Sequence, residues 1–117
     1  MTKISPEKAN VREWLAVLDE ASRGKNYPAL FKRVHDLVAV PSRSRKAVSL
    51  HKINKYTEDG AVVVVPAKIL STGKLEHKVT IAALEYSSGA LSAIKSSGSR
   101  AIGIKDLVGQ KKISLLV

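Results

Sequence analysis

The sequence predicts an α/β fold in which N-terminal helices are followed by a small mixed β-sheet with short helices. Two amphipathic helical patterns occupy the first third of the chain, and four consecutive valines begin at Val62. Four β-branched residues in a row disfavour a helix and are too apolar for a strand with one side in water, so they predict a buried central strand. The length of 117 residues suits one domain, which we assign to residues 1–117.

The first helical pattern begins at Ser5-Pro6, where a serine suits the N-cap and a proline suits the first turn. Apolar residues recur at helical spacing between Val11 and Leu18, and Gly24 indicates the end of the helix. Trp14 lies on the apolar side of this pattern, so we interpret it as a core residue rather than as a surface for base stacking.

A second helix is predicted to begin at Tyr27-Pro28 and to end before Pro41, because the residue preceding a proline disfavours the helical region. Shorter elements separated by turn signals follow, and helices are expected to cover one side of the sheet. The expected elements are a strand at Ala47–Leu50, a helical turn at His51–Tyr56, strands at Ala61–Pro66 and Lys78–Glu85, a helix from Ser87-Ser88 to Gly98, a helical turn at Ile104–Val108 and a strand at Ile113–Val117.

The positive charge of the chain is concentrated in one segment. Twenty Lys and Arg residues face ten Asp and Glu residues, which gives a formal net charge of +10. Residues 23–57 contain nine of the basic residues, and Asp36 is the only acidic residue among them. A concentrated positive segment is typical of a protein that binds a polyanion.

The segment Pro41–Lys46, which we call the basic loop, is the centre of this charge. Its three cationic side chains cannot all be buried without partners, so the segment is predicted to be an exposed loop. Arginine forks and serine hydroxyls both donate hydrogen bonds to phosphate oxygens. Apolar residues on either side of the loop are expected to fix its position, so we predict that it binds phosphates.

The sequence contains no convincing catalytic or metal-binding pattern. His35, His51 and His77 have no metal-ligating partner at helical spacing, and no G-x-S-x-G motif is present. The glycines of Gly98–Gly103 are spaced as in a phosphate loop, but Lys-Ser/Thr does not follow, so a surface turn is the better interpretation. We therefore predict that the protein is not an enzyme and uses no metal or cofactor.

Features that the sequence lacks indicate where the protein acts and which kind of nucleic acid it binds. There is no cysteine, no apolar run long enough to span a membrane and no signal-peptide core, so a soluble, unsecreted protein is expected. Helix-turn-helix, basic-zipper and zinc-finger patterns are absent, as is an aromatic strand for base stacking. These absences favour recognition of folded RNA through its backbone and shape.

Several linked motifs resemble those of one family. The run Pro41-Ser42-Arg43-Ser44-Arg45, followed by Val48-Ser49-Leu50-His51-Lys52-Ile53, resembles the signature of the archaeal and eukaryotic large-subunit ribosomal protein L18e family, in which asparagine is usual where Ser49 stands. Val62–Gly73 and Lys78–Leu84 resemble that family's next two motifs, with Ala67 in place of a usual glycine.

The resemblance implies a structural constituent of the large ribosomal subunit, in the cytoplasm, that binds large-subunit rRNA and neighbouring ribosomal proteins and has no catalytic activity. It implies a compact α/β fold related to bacterial ribosomal protein L15. Membranes and small-molecule substrates are not expected partners. The residues predicted to contact rRNA are Lys32, Arg33, Ser42, Arg43, Ser44, Arg45, Lys46, His51, Lys52, Lys55, Lys68 and Lys74, the last two in a turn region matched to the family.

Two alternatives remain open at this stage. One is a free-standing basic module that binds DNA or mobile RNA without belonging to the ribosome. The other is a small RNA-modifying enzyme, which would need a pocket with convergent titratable groups and for which His51 and Glu85 are the candidate residues.

Overall fold

The computed structural model describes residues 6–39, 47–110 and 112–116. The basic loop therefore lies outside the described residues. The elements follow one another as α1 (Pro6–Ser22), α2 (Pro28–Ala39), β1 (Val48–Ser49), α3 (Leu50–Tyr56), β2 (Val62–Leu70), β3 (Thr80–Tyr86), α4 (Ser88–Ser96), β4 (Arg100–Ala101), α5 (Ile104–Leu107) and β5 (Ser114–Leu115).

The strands form one sheet in which β2 and β3 are the central pair. The order is β1-β2-β3-β4, and β5 also pairs with β2. Because β5 and β3 pair with the same β2 residues, Val63 and Val64, β5 must lie on the β2 edge that β1 also uses, nearer the start of the strand. Every pairing among the described strands is parallel, so the α/β prediction is confirmed but the expected mixed sheet is wrong.

Helices cover both faces of this sheet, not one side as the sequence analysis predicted. On one face, α1, α2 and α5 enclose a cluster that includes Trp14, Phe31 and Val64. On the other face, α3 and α4 pack on a cluster that includes Val63, Val65 and Ile81. We call these the α1–α2 face and the α3–α4 face. Parallel strands must be joined by crossovers, and helical crossovers bury the sheet on both sides.

The valine run lies at the centre of both clusters, as the sequence predicted. Val63, Val64 and Val65 are completely inaccessible to solvent, and alternate residues point to opposite faces. The strand extends beyond the predicted end at Pro66 as far as Leu70. Its register against β3 shifts between Val65 and Lys68, which is where Pro66 has no N–H to donate to a ladder.

The helical predictions agree with the structure, including a buried Trp14 that is 2% exposed. The strand predicted at Lys78–Glu85 runs instead from Thr80 to Tyr86, which leaves Lys78 in the preceding loop. The segment Gly98–Gly103 contains the short strand β4, which the sequence analysis missed. Its two residues are both exposed, so no apolar pattern marks them.

Candidate nucleic-acid interface

Helix α3 is short and begins directly where β1 ends. Ser49 is its N-cap, and the Ser49 hydroxyl accepts a hydrogen bond from the backbone N–H of Lys52 at 3.3 Å. Asparagine is an equally good N-cap, so the departure from the family pattern at this position keeps the same physical role. Leu50 and Ile53 are completely buried, which holds the helix on the sheet and leaves its polar residues around the rest of its circumference.

The loop of residues 71–77 packs on α3. At its start, the N–H of His51 donates to the carbonyl of Thr72 at 3.0 Å. Gly73 adopts a φ of 89°, and a Cβ added to it would lie 2.5 Å from the Cβ of His51. Glycine is therefore needed here both for the backbone conformation and for the close approach to the helix.

Two further contacts continue this packing toward the end of α3. The N–H of Glu76 donates to the side-chain oxygen of Asn54 at 2.9 Å, and the Thr57 hydroxyl pairs with Nε2 of His77 at 2.7 Å. The loop is thus attached to α3 at its beginning, middle and end. Lys74, which is exposed between these contacts, is held beside the cationic helix.

We call the group His51, Lys52, Lys55 and Lys74 the α3–loop surface. All four were predicted from the sequence to contact RNA, and they lie on α3 and on the loop that is hydrogen-bonded to it. Helix α3 contains no acidic residue, and Glu76 is the one carboxylate in the loop. Such a surface attracts anions, and the hydrogen bonds between the loop and α3 fix the relative positions of the two backbone segments that carry the charges.

The other predicted residues are not part of this group. Lys32 and Arg33 are exposed on α2, which covers the opposite face of the sheet. Lys68 lies in strand β2 rather than in a turn, and its ammonium is 3.7 Å from the carboxylate of Glu85. The remaining five predicted residues lie in the basic loop, outside the described part of the chain: Ser42, Arg43, Ser44, Arg45 and Lys46.

The aromatic residue at the end of α3, Tyr56, was not among the residues predicted from the sequence to contact RNA. Tyr56 is 62% exposed, and the ammonium of Lys55 lies 5.5 Å from the centre of its ring. A lysine followed by a tyrosine at the end of an otherwise polar helix face was the available signal. Aromatic rings beside cations can stack on nucleobases, so Tyr56 extends the chemistry of the α3–loop surface.

The described residues contain no group of three or more His, Cys, Asp or Glu side chains placed to hold a metal ion. Two open cavities, of about 470 and 750 Å³, lie near Phe31 and near Tyr56. Neither His51 nor Glu85, the residues considered for an enzyme, lines either of them. Within the same ranges of the chain, no helix is both long and apolar enough to span a membrane.

Fold and surface together define a class: a small, strongly basic α/β protein that displays its cations on a short helix and an attached loop. Residues 33–102 match the model of the family described as ribosomal proteins 50S-L15, 50S-L18e and 60S-L27a, and the chain belongs to this family. The match includes α3, the loop of residues 71–77 and the strands β1 to β4.

Similar proteins extend this assignment over most of the chain. The chain is 44% identical to the large ribosomal subunit protein eL18 of Sulfurisphaera tokodaii over 80 residues, which are 68% of each protein. It is 34% identical to the eL18 protein of Methanococcus maripaludis over 110 residues, which cover 94% of this chain and 91% of that one. The eL18 protein of Nanoarchaeum equitans is also 34% identical, over 92% of this chain and 86% of its own length. The predicted family is thereby confirmed.

Proposed function

We propose that this chain is a structural constituent of the large ribosomal subunit, without catalytic activity, that binds large-subunit rRNA through its phosphate backbone. The basic loop and the α3–loop surface make the principal contacts, with Lys32, Arg33 and Lys68 in supporting positions. The partners are rRNA and neighbouring large-subunit proteins, and the place of action is the cytoplasm. Membership of a ribosomal protein family and relatives named as large-subunit proteins support the ribosomal part of this proposal.

The attachment of the loop of residues 71–77 along α3 is the observation that carries the binding mechanism. Cations carried by backbone segments that are already fixed lose less conformational freedom on binding than cations on a mobile segment. Each phosphate neutralised by Lys or Arg releases condensed counterions, so the affinity gained depends on salt concentration. A protein that acts in this way needs no base-specific pocket, which agrees with the lack of polar recognition motifs in the sequence.

The mechanism predicts that removing cations lowers the salt dependence of rRNA binding. Two triple variants test it: Arg43→Ala with Arg45→Ala and Lys46→Ala, and Lys52→Ala with Lys55→Ala and Lys74→Ala. For each, the plot of log affinity against log salt should become shallower by about 0.7–0.9 per lost contact, or about 2 to 3 for a triple variant. Filter binding or fluorescence anisotropy on transcribed archaeal large-subunit rRNA gives these slopes.

A matched control removes the same charge elsewhere. Arg12, Lys105 and Lys112 are exposed and lie on or near α1, α5 and β5, so their joint change to Ala lowers the net charge equally. In this control we expect the slope of log affinity against log salt to change by less than about 0.7, the value for one lost contact. If both site variants keep the original slope, the proposed phosphate contacts are refuted.

Fractionation separates the ribosomal role from a free-standing nucleic-acid-binding module. A subunit constituent should sediment with the large subunit after a wash in moderate salt, together with other large-subunit proteins. Recovery of the protein in the soluble fraction after that wash, while other basic ribosomal proteins stay with the particle, would contradict the ribosomal role.

A further inference from the structure

We propose that Lys78, Lys95 and Arg100 form a second phosphate-binding surface, which takes the backbone of structured RNA at the β4 edge of the sheet. We call it the β4-edge surface. It rests on the proposed binding of rRNA and adds to it a group of residues that neither the sequence motifs nor the α3–loop surface includes. Three features of the structure support it: a fixed turn, cations without an acidic partner in the described part of the chain, and a strand edge that no described strand covers.

The turn after α4 is fixed by a buried serine. Ser99 is 9% exposed, and its hydroxyl accepts from the N–H of Val79 at 3.0 Å and donates to the carbonyl of His77 at 3.3 Å. It joins the turn that follows α4 to the segment that leads into β3. A buried hydroxyl with both roles satisfied costs free energy to break, so the two segments keep one relative position.

Three cationic residues lie at this turn: Lys95 and Arg100 flank it in sequence, and Lys78 packs against it. The N–H of Gly98 donates to the carbonyl of Lys95 at 3.1 Å, and the N–H of Arg100 donates to the carbonyl of Val79 at 2.9 Å. The stem of Lys78 crosses Gly98, with its Cε 3.1 Å from where a Cβ on the glycine would lie. Packing against the turn directs the lysine stem without burying its ammonium.

The three cations have no acidic partner within salt-bridge distance among the described residues. Asp59 is the acidic residue tied to this region, and its carboxylate accepts from the backbone N–H of Lys78 at 2.9 Å. Glu76 lies two residues before Lys78. Glu58 precedes Asp59 in the same turn, but none of these three carboxylates lies within 4 Å of the three exposed cations, which therefore stay available to an anion.

Strand β4 adds backbone donors. Arg100 directs its N–H to the carbonyl of Val79, just before β3, and Ile102 directs its N–H to the carbonyl of Ile81 in β3. Because successive residues of a strand point their amides to opposite sides, the exposed Ala101 directs its N–H outward, where no described strand pairs with it. An outward amide that follows an exposed arginine in sequence can donate to the same phosphate group as the guanidinium.

The β4-edge surface adjoins the α3–loop surface. The contact between Thr57 and His77 brings the end of α3 to the residue that precedes Lys78. Cations from α3, the loop of residues 71–77, the end of α4 and β4 therefore lie along the α3–α4 face and its edge. A second interpretation is that Arg100 only prevents the edge strand from pairing with other chains. That role predicts no effect on RNA binding.

The test compares two variants of the full chain with equal charge loss. One combines Lys78→Gln, Lys95→Gln and Arg100→Gln, since glutamine keeps a stem that can pack on Gly98 and leaves the turn intact. The other combines Arg12→Gln, Lys105→Gln and Lys112→Gln. Binding to transcribed archaeal large-subunit rRNA is measured over a salt series, and circular dichroism checks the fold. We expect the first variant to lower the log–log slope by about 2 to 3 and the second by less than 1.

The outcomes separate this inference from the proposed function. An equal change of slope in both variants, or none in the first, overturns the β4-edge surface. If that happens while the variant of Lys52, Lys55 and Lys74 still lowers the slope, only this inference fails. If the unaltered chain does not bind the rRNA in a salt-dependent way, the proposed function fails with it.

Discussion

The two faces of the sheet differ in what their helices carry. Helices α1, α2 and α5 contain acidic and basic residues together, whereas α3 and α4 contain lysines and no acidic residue. The α1–α2 face also holds the large aromatic core residues, Trp14 and Phe31. The α3–α4 face is built from aliphatic residues, with two fully or nearly fully buried residues contributed by each short helix.

This difference assigns stability mainly to the α1–α2 face and most of the described cations of the proposed binding surface to the α3–α4 face. Long helices that pack on each other and on the sheet bury large side chains, each worth about 1.5–3 kcal/mol. A short helix attached by two buried residues leaves most of its circumference for charges, and its position depends on caps and loop contacts such as those of Ser49 and Gly73. The α3–α4 face is therefore the one in which small substitutions should alter the arrangement of cations.

The substitution with the largest expected effect unfolds the chain and so removes both faces of the sheet. Val64→Asp places a carboxylate without a partner in the central strand, where the side chain is completely buried. We expect the free energy of unfolding to fall by more than about 4 kcal/mol, so that circular dichroism shows an unfolded chain. Leu70→Asp is the control, because Leu70 lies on the same strand but is 38% exposed. A folded Val64→Asp protein would disprove the placement of this strand.

The next effect is confined to the α3–α4 face. Gly73→Ala strains a backbone with φ of 89° and also forces the loop away from His51, so we expect a loss of about 2–3 kcal/mol in urea denaturation. Gly60→Ala meets the same kind of backbone strain, with φ of 86°, but has no atom within 4 Å of the added Cβ. It should cost only about 1 kcal/mol. Equal costs would show that the contact with α3 contributes nothing.

A pH effect comes from Tyr86, which packs against the core of the α3–α4 face. Burial raises the pKa of Tyr86 to about 12, against the opposing effect of a hydrogen bond from the backbone of Ala83. Its hydroxyl also donates to the carbonyl of Ile81 at 3.2 Å, which accepts the N–H of Ile102 as well. The hydroxyl thus gives a partner to the N–H of Ala83, which lies beyond the last β3 residue that pairs with β4.

Because the folded state holds the Tyr86 proton more tightly, its contribution is complete below pH 10 and is lost as the pH rises toward the folded pKa of about 12. Over that window the loss should reach up to about 3 kcal/mol. Lysines titrate in the same range, so the informative quantity is the difference in unfolding free energy between the original chain and Tyr86→Phe. If that difference does not change with pH between neutrality and pH 11, the hydroxyl is not buried as described.

The smallest effect compares the two helix caps of the α3–α4 face. Ser49→Ala and Ser87→Ala each remove a hydroxyl that accepts a backbone N–H, from Lys52 and from Ala90 respectively. Each should cost about 1 kcal/mol, and Ser49→Asn should restore the loss at α3. Thermal unfolding gives these values. Failure of asparagine to restore stability would mean that Ser49 contributes something other than its cap.

Local rules explain the elements that the sequence predicted correctly. Prolines at the first position of α1 and α2, the serine cap of α4 and the valine run act through backbone conformation and burial, which a short stretch of chain contains by itself. The same holds for Trp14, whose place on the apolar side of a helix sufficed to assign it to the core.

The candidate site was predicted only in part, for a physical reason. Charge density pointed to residues 23–57, but it did not separate Lys32 and Arg33 on α2 from the lysines of α3 on the other face. Charge density also did not predict that Lys68 pairs with Glu85, which lies on a neighbouring strand and is seventeen residues away in sequence. Such relations depend on which strands pair, and no local pattern encodes the pairing.

By itself, the sequence determined the α/β class, the helices, the buried central strand, the excess of positive charge and the family resemblance. These properties follow from composition and from interactions between residues close together in the chain. Only the tertiary structure decided that the sheet is parallel and covered on both faces, that β4 exists, and that Lys74 joins α3 while Lys78, Lys95 and Arg100 meet at the sheet edge. These arrangements depend on hydrogen bonds between segments far apart in the chain, whose partners are defined only once the chain has folded.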